Sequence, residues 1–207
     1  MTRASIAVLV SGTGRHLENL AHLSKDPGAE FPVDVVLAVS NRPGVQALER
    51  AARCEVPSVV LEATAGESDE AYGARVFEAV RASGADAVVL AGFLKKLWIP
   101  DDYAGRVINI HPSLLPAFGG KGFYGSKVHR AVLERGCQVS GCTVHLVDEV
   151  YDNGPILLQR WCAVEPGDTV ETLSARVFEE ERLALPAGIL SFMKGILDAD
   201  SSSPSAS

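Results

Sequence analysis

The chain has 207 residues, 47% of them hydrophobic and 22% charged, which fits one globular domain around a single core. Its net charge of −7 disfavours a dedicated nucleic-acid binder, because phosphate backbones are held by clusters of Lys and Arg and the sequence carries none. No apolar run approaches the roughly 20 residues of a membrane span, and the start lacks the basic and apolar regions of a secretory signal, so the sequence predicts a cytoplasmic protein with small molecules as partners.

Ile6 to Val10 is a short apolar run that ends in Ser11-Gly12-Thr13-Gly14, after which Leu17, Leu20 and Ala21 recur at helical spacing. This predicts strand, glycine turn, helix. Val33 to Val39 is a second strand, Val45 to Ala52 a helix, Ser58 to Leu61 a third strand, and Glu70 to Arg81 a helix with Tyr72, Val76 and Val80 on one face. Asp86 to Ala91 and Arg106 to His111 continue the alternation as strands. Val- and Ile-rich strands separated by helices imply parallel βαβ units in a Rossmann-like sheet with helices on both faces, and the site at the strands' carboxyl ends.

After a glycine-rich loop and a helix over Lys127 to Arg135, the apolar runs Cys142 to Val147 and Pro155 to Val164 flank Tyr151-Asp152-Asn153-Gly154. Asn-Gly between such runs predicts an antiparallel hairpin added to the sheet. A last helix is expected from Asp168, with Glu171 closing a capping box and Val170, Leu173, Val177 and Ala184 as the apolar stripe. Glu181 falls inside that stripe, where an unpartnered carboxylate is costly, so it should meet a ligand or a cation. Residues 199–207 are too polar to pack and are expected to be a disordered tail.

Glycines 12 and 14 allow a tight turn and close approach of a ligand, and the helix that follows offers N–H groups to an anion such as phosphate. A tight strand-to-helix turn without any ligand is the ordinary alternative. The dinucleotide fingerprint needs a third glycine where Leu17 stands and an acidic residue where Ser40-Asn41-Arg42 stand, which argues against NAD and leaves NADP only Arg42. Gly119-Gly120-Lys121-Gly122 lacks the following Ser or Thr of a P-loop and reads as a mobile flap. Cys54, Cys137, Cys142 and Cys162 form no C-x-x-C pair and lie away from the histidines, so reduced thiols and no metal are expected.

The chemistry concentrates in Asn109-Ile110-His111-Pro112-Ser113 at the end of the fifth strand, where the two-residue period points Asn109 and His111 to one side. An amide N–H can donate to a developing oxyanion while an imidazole moves a proton, an outfit suited to acyl transfer. Alone, such a pair is more often hydrogen-bonded structure, and Asp152 alone is a typical turn residue. His145 reads as a structural or secondary site residue, and His22 as solvent-facing.

Taken together, Ser11-Gly12-Thr13-Gly14, Ala91-Gly92-Phe93-Leu94, Asn109-Ile110-His111-Pro112-Ser113-Leu114-Leu115-Pro116, Thr143-Val144-His145 and Asp152-Asn153-Gly154-Pro155 resemble, in that order, the folate-dependent formyltransferases. Within this family the length resembles the branch that formylates glycinamide ribonucleotide in purine biosynthesis. Methionyl-tRNA and hydrolytic branches usually carry a further domain. The resemblance implies a single domain over residues 1–198, with a phosphate-binding half to about 105 and a folate and catalytic half from about 106.

It also implies roles for residues. Asn109, His111 and Asp152 match the catalytic trio, Asp152 favouring the imidazolium; Gly12, Thr13, Gly14, Arg15 and His16 match the phosphate turn; Glu181 matches a carboxylate that holds the ribonucleotide's ribose. Leu94, Lys95, Lys96 and Leu97, with Val147, Asp148, Glu149 and Asp152, match segments that embrace 10-formyltetrahydrofolate beside Asn109. The family's usual Gly-Ser-Asn turn is Gly14-Arg15-His16 here, a common arginine is Lys95, and Asp69 stands where some members have a basic residue. A different amine acceptor, or release of formate to water, would share most of these residues. A monomer and a homodimer are equally consistent with the sequence.

Overall fold

The computed structural model describes residues 3–202. Among them seven strands form one sheet: β1 (Ala4–Val10), β2 (Val33–Ser40), β3 (Ser58–Val60), β4 (Ala87–Leu90), β5 (Val107–His111), β6 (Val139–Leu146) and β7 (Ile156–Ala163), in the order β3-β2-β1-β4-β5-β6-β7. The first five are mutually parallel, whereas β6 runs antiparallel to β5 and β7 antiparallel to β6. The expected mixed sheet is therefore present.

Strict alternation along β1 divides the core in two. Ile6, Val8 and Val10 pack with Leu17, Leu20 and Ala21 of α1 (Arg15–Lys25), Ala47 and Ala51 of α2 (Gln46–Arg53), Val132 of α4 (Ser126–Glu134), and Leu173 and Val177 of α5 (Val170–Ser202). Ala7 and Leu9 face the opposite layer, with Tyr72, Val76, Phe77 and Val80 of α3 (Asp69–Ala82). Burial on both faces explains the unbroken apolar runs from Ile6 to Val10 in β1 and from Ala87 to Leu90 in β4. Each fully buried Val or Leu contributes roughly 1.5–3 kcal/mol of transfer free energy.

The order reverses at β1, between β2 and β4, which opens a crevice at the carboxyl ends of these strands. Two features bring side chains to it. The β1–α1 turn is made by Gly14 at φ 72, and a Cβ there would meet the Ala47 Cα at 2.6 Å, so glycine permits both the left-handed backbone and the approach of α2. Glu18 of α1 pairs with Arg50 and Arg53 of α2 and fixes the two helices side by side.

Three expectations need correction. The β6–β7 connection runs from 147 to 155 rather than turning tightly on Asn-Gly, because its base closes between Leu146 N–H and the Pro155 carbonyl at 2.9 Å. Gly154 serves close packing there, since a Cβ would lie 2.0 Å from the Leu146 carbonyl oxygen. The capping box of α5 is one residue later than expected: Thr169 Oγ1 accepts from Thr172 N–H at 3.2 Å, and Thr172 Oγ1 accepts from Thr169 N–H at 2.9 Å. Asp168 is instead held by both terminal nitrogens of Arg176 and by Glu165 N–H. Finally, α5 continues to Ser202, past Asp198; residues 203–207 of the expected tail lie outside the described residues. No helix among the described residues is long and apolar enough to cross a membrane.

Candidate active site

The crevice is a cleft of about 1030 Å³, and every residue singled out for function in the sequence lines it. Gly12 to His16 come from the β1–α1 turn, Leu94 to Leu97 from the segment after β4, Asn109 and His111 from β5, Val147, Asp148, Glu149 and Asp152 from the β6–β7 connection, and Glu181 from α5. Ser11 Oγ accepts the Leu94 N–H at 2.9 Å and ties the first two of these segments together.

At the centre, Asn109 and His111 are two apart on β5 and pair with His145 and Thr143 of β6, so all four share a strand face. Asn109 Nδ2 lies 3.1 Å from His145 Nε2 and 3.5 Å from Asp152 Oδ1. His111 Nδ1 lies 3.5 Å from Asp152 Oδ2, and its Nε2 is 2.8 Å from the Phe118 carbonyl. That carbonyl can only accept, so Nε2 donates to it and carries a proton. By the same reasoning the Leu146 carbonyl, 2.8 Å from His145 Nδ1, places a proton there.

Asp152 has its backbone at φ 55, which turns the carboxylate back from the connection into the cleft. Burial pushes its carboxyl up, but the contact with His145, the charge of His111 and the Gly120 N–H at 2.9 Å prevail and hold it below the usual range. It is therefore an anion, with three polar side chains of the cluster within 3.7 Å. His145 is part of this cluster, a placement the sequence left open.

At the β1–α1 end, Gly12 has nothing within 4 Å of where a Cβ would stand, so its backbone is approachable from the cleft. The helix closes its first bond from Glu18 N–H to the Gly14 carbonyl at 3.0 Å, so the N–H groups of residues 15 to 17 precede any intrahelical acceptor. Glu181, 9% exposed, meets His16 Nε2 at 3.2 Å, which answers the need of a carboxylate in an apolar stripe for a partner. Behind them His129 of α4 is 3% exposed with Nδ1 unpartnered, and burial holds its imidazole below the usual pKa.

In the segment after β4, Lys95 Nζ donates to Asp69 Oδ1 at 2.9 Å and lies over the Tyr72 ring. Lys121, Phe123 and Tyr124 of the glycine-rich loop also face the cleft, as does Phe178 of α5. Sequence reasoning missed Phe178 because an aromatic at helical spacing reads as core. It missed the Phe118 carbonyl and the Gly120 N–H because backbone groups carry no residue-type signal.

With this geometry in hand, comparison with known proteins is direct. A family model described as formyl transferase matches residues 4–189. The trifunctional purine biosynthetic protein adenosine-3 of Gallus gallus is 41% identical over 189 residues, 90% of this chain and 18% of that protein. The chloroplastic phosphoribosylglycinamide formyltransferase of Arabidopsis thaliana is 41% identical over 182 residues, 86% of this chain and 62% of that protein. The chain therefore spans less than two thirds of the length of these curated relatives. The crystal structure of glycinamide ribonucleotide transformylase 1 from Symbiobacterium toebii superposes with a TM-score of 0.86 at 37% identity, covering 94% of this chain and 89% of that one.

Proposed function

The chain belongs to the formyl transferase family, and from that premise we propose that it transfers a formyl group from 10-formyltetrahydrofolate to the amine of glycinamide ribonucleotide in purine biosynthesis. The observation that carries this reading is the convergence of Asn109 and His111 on Asp152, each at about 3.5 Å, in a cleft that also receives the β1–α1 turn and the N–H groups that open α1. At about 1030 Å³ the cleft lies at the top of the range typical of ligand pockets, about 300–1,000 Å³.

In this reading the amine nitrogen attacks the formyl carbon, forming a tetrahedral intermediate whose oxygen is negative. The bond from that carbon to the folate nitrogen then breaks. The attacking amine gives up one proton and the leaving folate nitrogen gains one. Asn109 Nδ2–H and His111 Nε2–H donate to the oxyanion, which competes with the Phe118 carbonyl for the latter proton. Asp152, an anion 3.5 Å away, holds the His111 imidazole in place and stabilises positive charge on it as the proton moves.

The half of the chain through about residue 105 supplies the acceptor's phosphate site, Gly12 to His16, which α5 completes from across the cleft with Glu181 as acceptor of ribose hydroxyl hydrogen bonds. Leu94 to Leu97 and Val147 to Asp152 embrace the folate, and no metal takes part. The same reading places the enzyme in the cytoplasm with small molecules as its partners. The test is to mix the chain, the formylated folate and glycinamide ribonucleotide, and to follow loss of donor with and without the amine. Amine-dependent loss is expected. Equal loss without amine would make the chain a hydrolase, and loss only with a different amine would reassign the acceptor.

A further inference from the structure

A single ring, Phe178, underlies both Arg15 and His16 at the start of α1. The Arg15 guanidinium carbon stands 3.6 Å from the Phe178 ring centroid, and the His16 ring packs on it at 5.0 Å with an interplanar angle of 48°. His16 in turn meets Glu181, which lies three residues beyond Phe178 and hence on the same face of α5.

The stacking leaves Arg15 with its hydrogen-bonding capacity intact. A cation over an aromatic face is attracted by the ring quadrupole, which occupies the flat side of the guanidinium and leaves its in-plane N–H fork exposed. The nearby acids are taken: Glu18, three residues on along α1, is bound by Arg50 and Arg53, and Glu181 is bound by His16. Among the described residues Arg15 forms no ion pair, although it lies beside free helix N–H groups at the wall of the cleft. A stacked, unpaired guanidinium beside such N–H groups suits a phosphomonoester dianion, which accepts a bidentate contact.

We infer that Phe178 is a positioning residue of the acceptor site: its ring holds Arg15 with the guanidinium fork turned toward the phosphate. This rests on the proposed reading of the cleft, but it concerns phosphate recognition and not the chemical step. Loss of the ring removes the platform while the guanidinium remains, so phosphate affinity falls without any change at Asn109 or His111.

The experiment titrates the full chain with ribose 5-phosphate by calorimetry and compares Phe178→Leu, Phe178→Tyr, Arg15→Ala and the Arg15→Ala/Phe178→Leu pair. Phe178→Leu is expected to weaken binding about tenfold and Phe178→Tyr less than about twofold. The double variant should be no weaker than Arg15→Ala alone, because the ring acts through the arginine; a general structural defect would instead multiply the two losses. In turnover, Phe178→Leu should raise the acceptor KM about tenfold and leave kcat and the donor KM within about twofold. Unchanged ribose 5-phosphate affinity in Phe178→Leu, or multiplied losses in the pair, overturns the inference. If affinity follows the expected pattern while no formyl transfer occurs, the inference stands and the proposed reaction falls. If transfer proceeds with an unchanged acceptor KM in Phe178→Leu, the reaction stands and the inference falls.

Discussion

Replacing Gly14 by alanine separates the turn's structural demand from its ligand role. Gly14 sits at φ 72, where a side chain costs about 1–2 kcal/mol, and its new Cβ would lie 2.6 Å from both the Cα and Cβ of Ala47. Ala47 cannot simply withdraw, because its N–H is bonded to the Gly12 carbonyl at 3.1 Å and its side chain is fully buried against α1. Overpacking of this kind costs typically about 1–3 kcal/mol, for a total of roughly 2–5 kcal/mol. In a chain of this size that lowers Tm by roughly 4–20 °C. Gly12→Ala is the control: nothing lies within 4 Å of its Cβ, so Tm should hold, while the methyl group would stand at the proposed phosphate position and ribose 5-phosphate binding should weaken. Thermal melts of both variants, paired with that titration, are the assay. A Gly14→Ala protein as stable as the parent, or a Gly12→Ala protein destabilised as much, would refute the reasoning.

Asp152→Asn keeps the shape of the side chain and removes the charge 3.5 Å from His111, and its turnover is expected to fall on the order of 10²–10³-fold with little change in Tm; steady-state rates beside a melt check this. Because Asp152 is held below the usual carboxylate range, the acid limb of wild-type activity should not be set by its protonation, and a pH–rate profile reads this out. Glu67 is lowered from 4.5 to about 2, chiefly by the hydrogen bond from Arg75 and then by the Thr64 N–H. A depressed carboxyl stabilises the fold above its unfolded pKa and loses that contribution as pH falls through the folded one. The Tm deficit of Glu67→Gln should therefore be present at neutral pH and close between about pH 4.5 and 2, and a deficit that stays constant over that interval would contradict the assignment.

The sheet was legible because its signals are local. The apolar runs of β1 and β4 follow from burial on both faces, and the two-residue period alone placed Asn109 and His111 together. Glu181 was legible through a conflict, a carboxylate in an apolar stripe, which the His16 contact resolves. Asp152 was harder. Asp-Asn-Gly has the composition of a tight turn, whereas Asp152 sits at φ 55 inside a longer connection, and only the resemblance to known formyltransferases pointed to a role. The cap of α5 slipped by one residue because Asp168 and Thr169 are both competent caps, and Arg176, two turns along the helix, decides between them. Phe178 carried no sequence signal, since its significance lies in what stacks on it.

The proposed chemistry needs two donors at the reacting carbon, and turnover of Asn109→Ala and His111→Ala with both substrates saturating is the decisive measurement. Each variant should retain the circular dichroism spectrum of the parent and lose at least about 10²-fold in kcat. A folded variant of either kind that formylates the amine at nearly the parent rate would contradict the assignment of its side chain to the oxyanion.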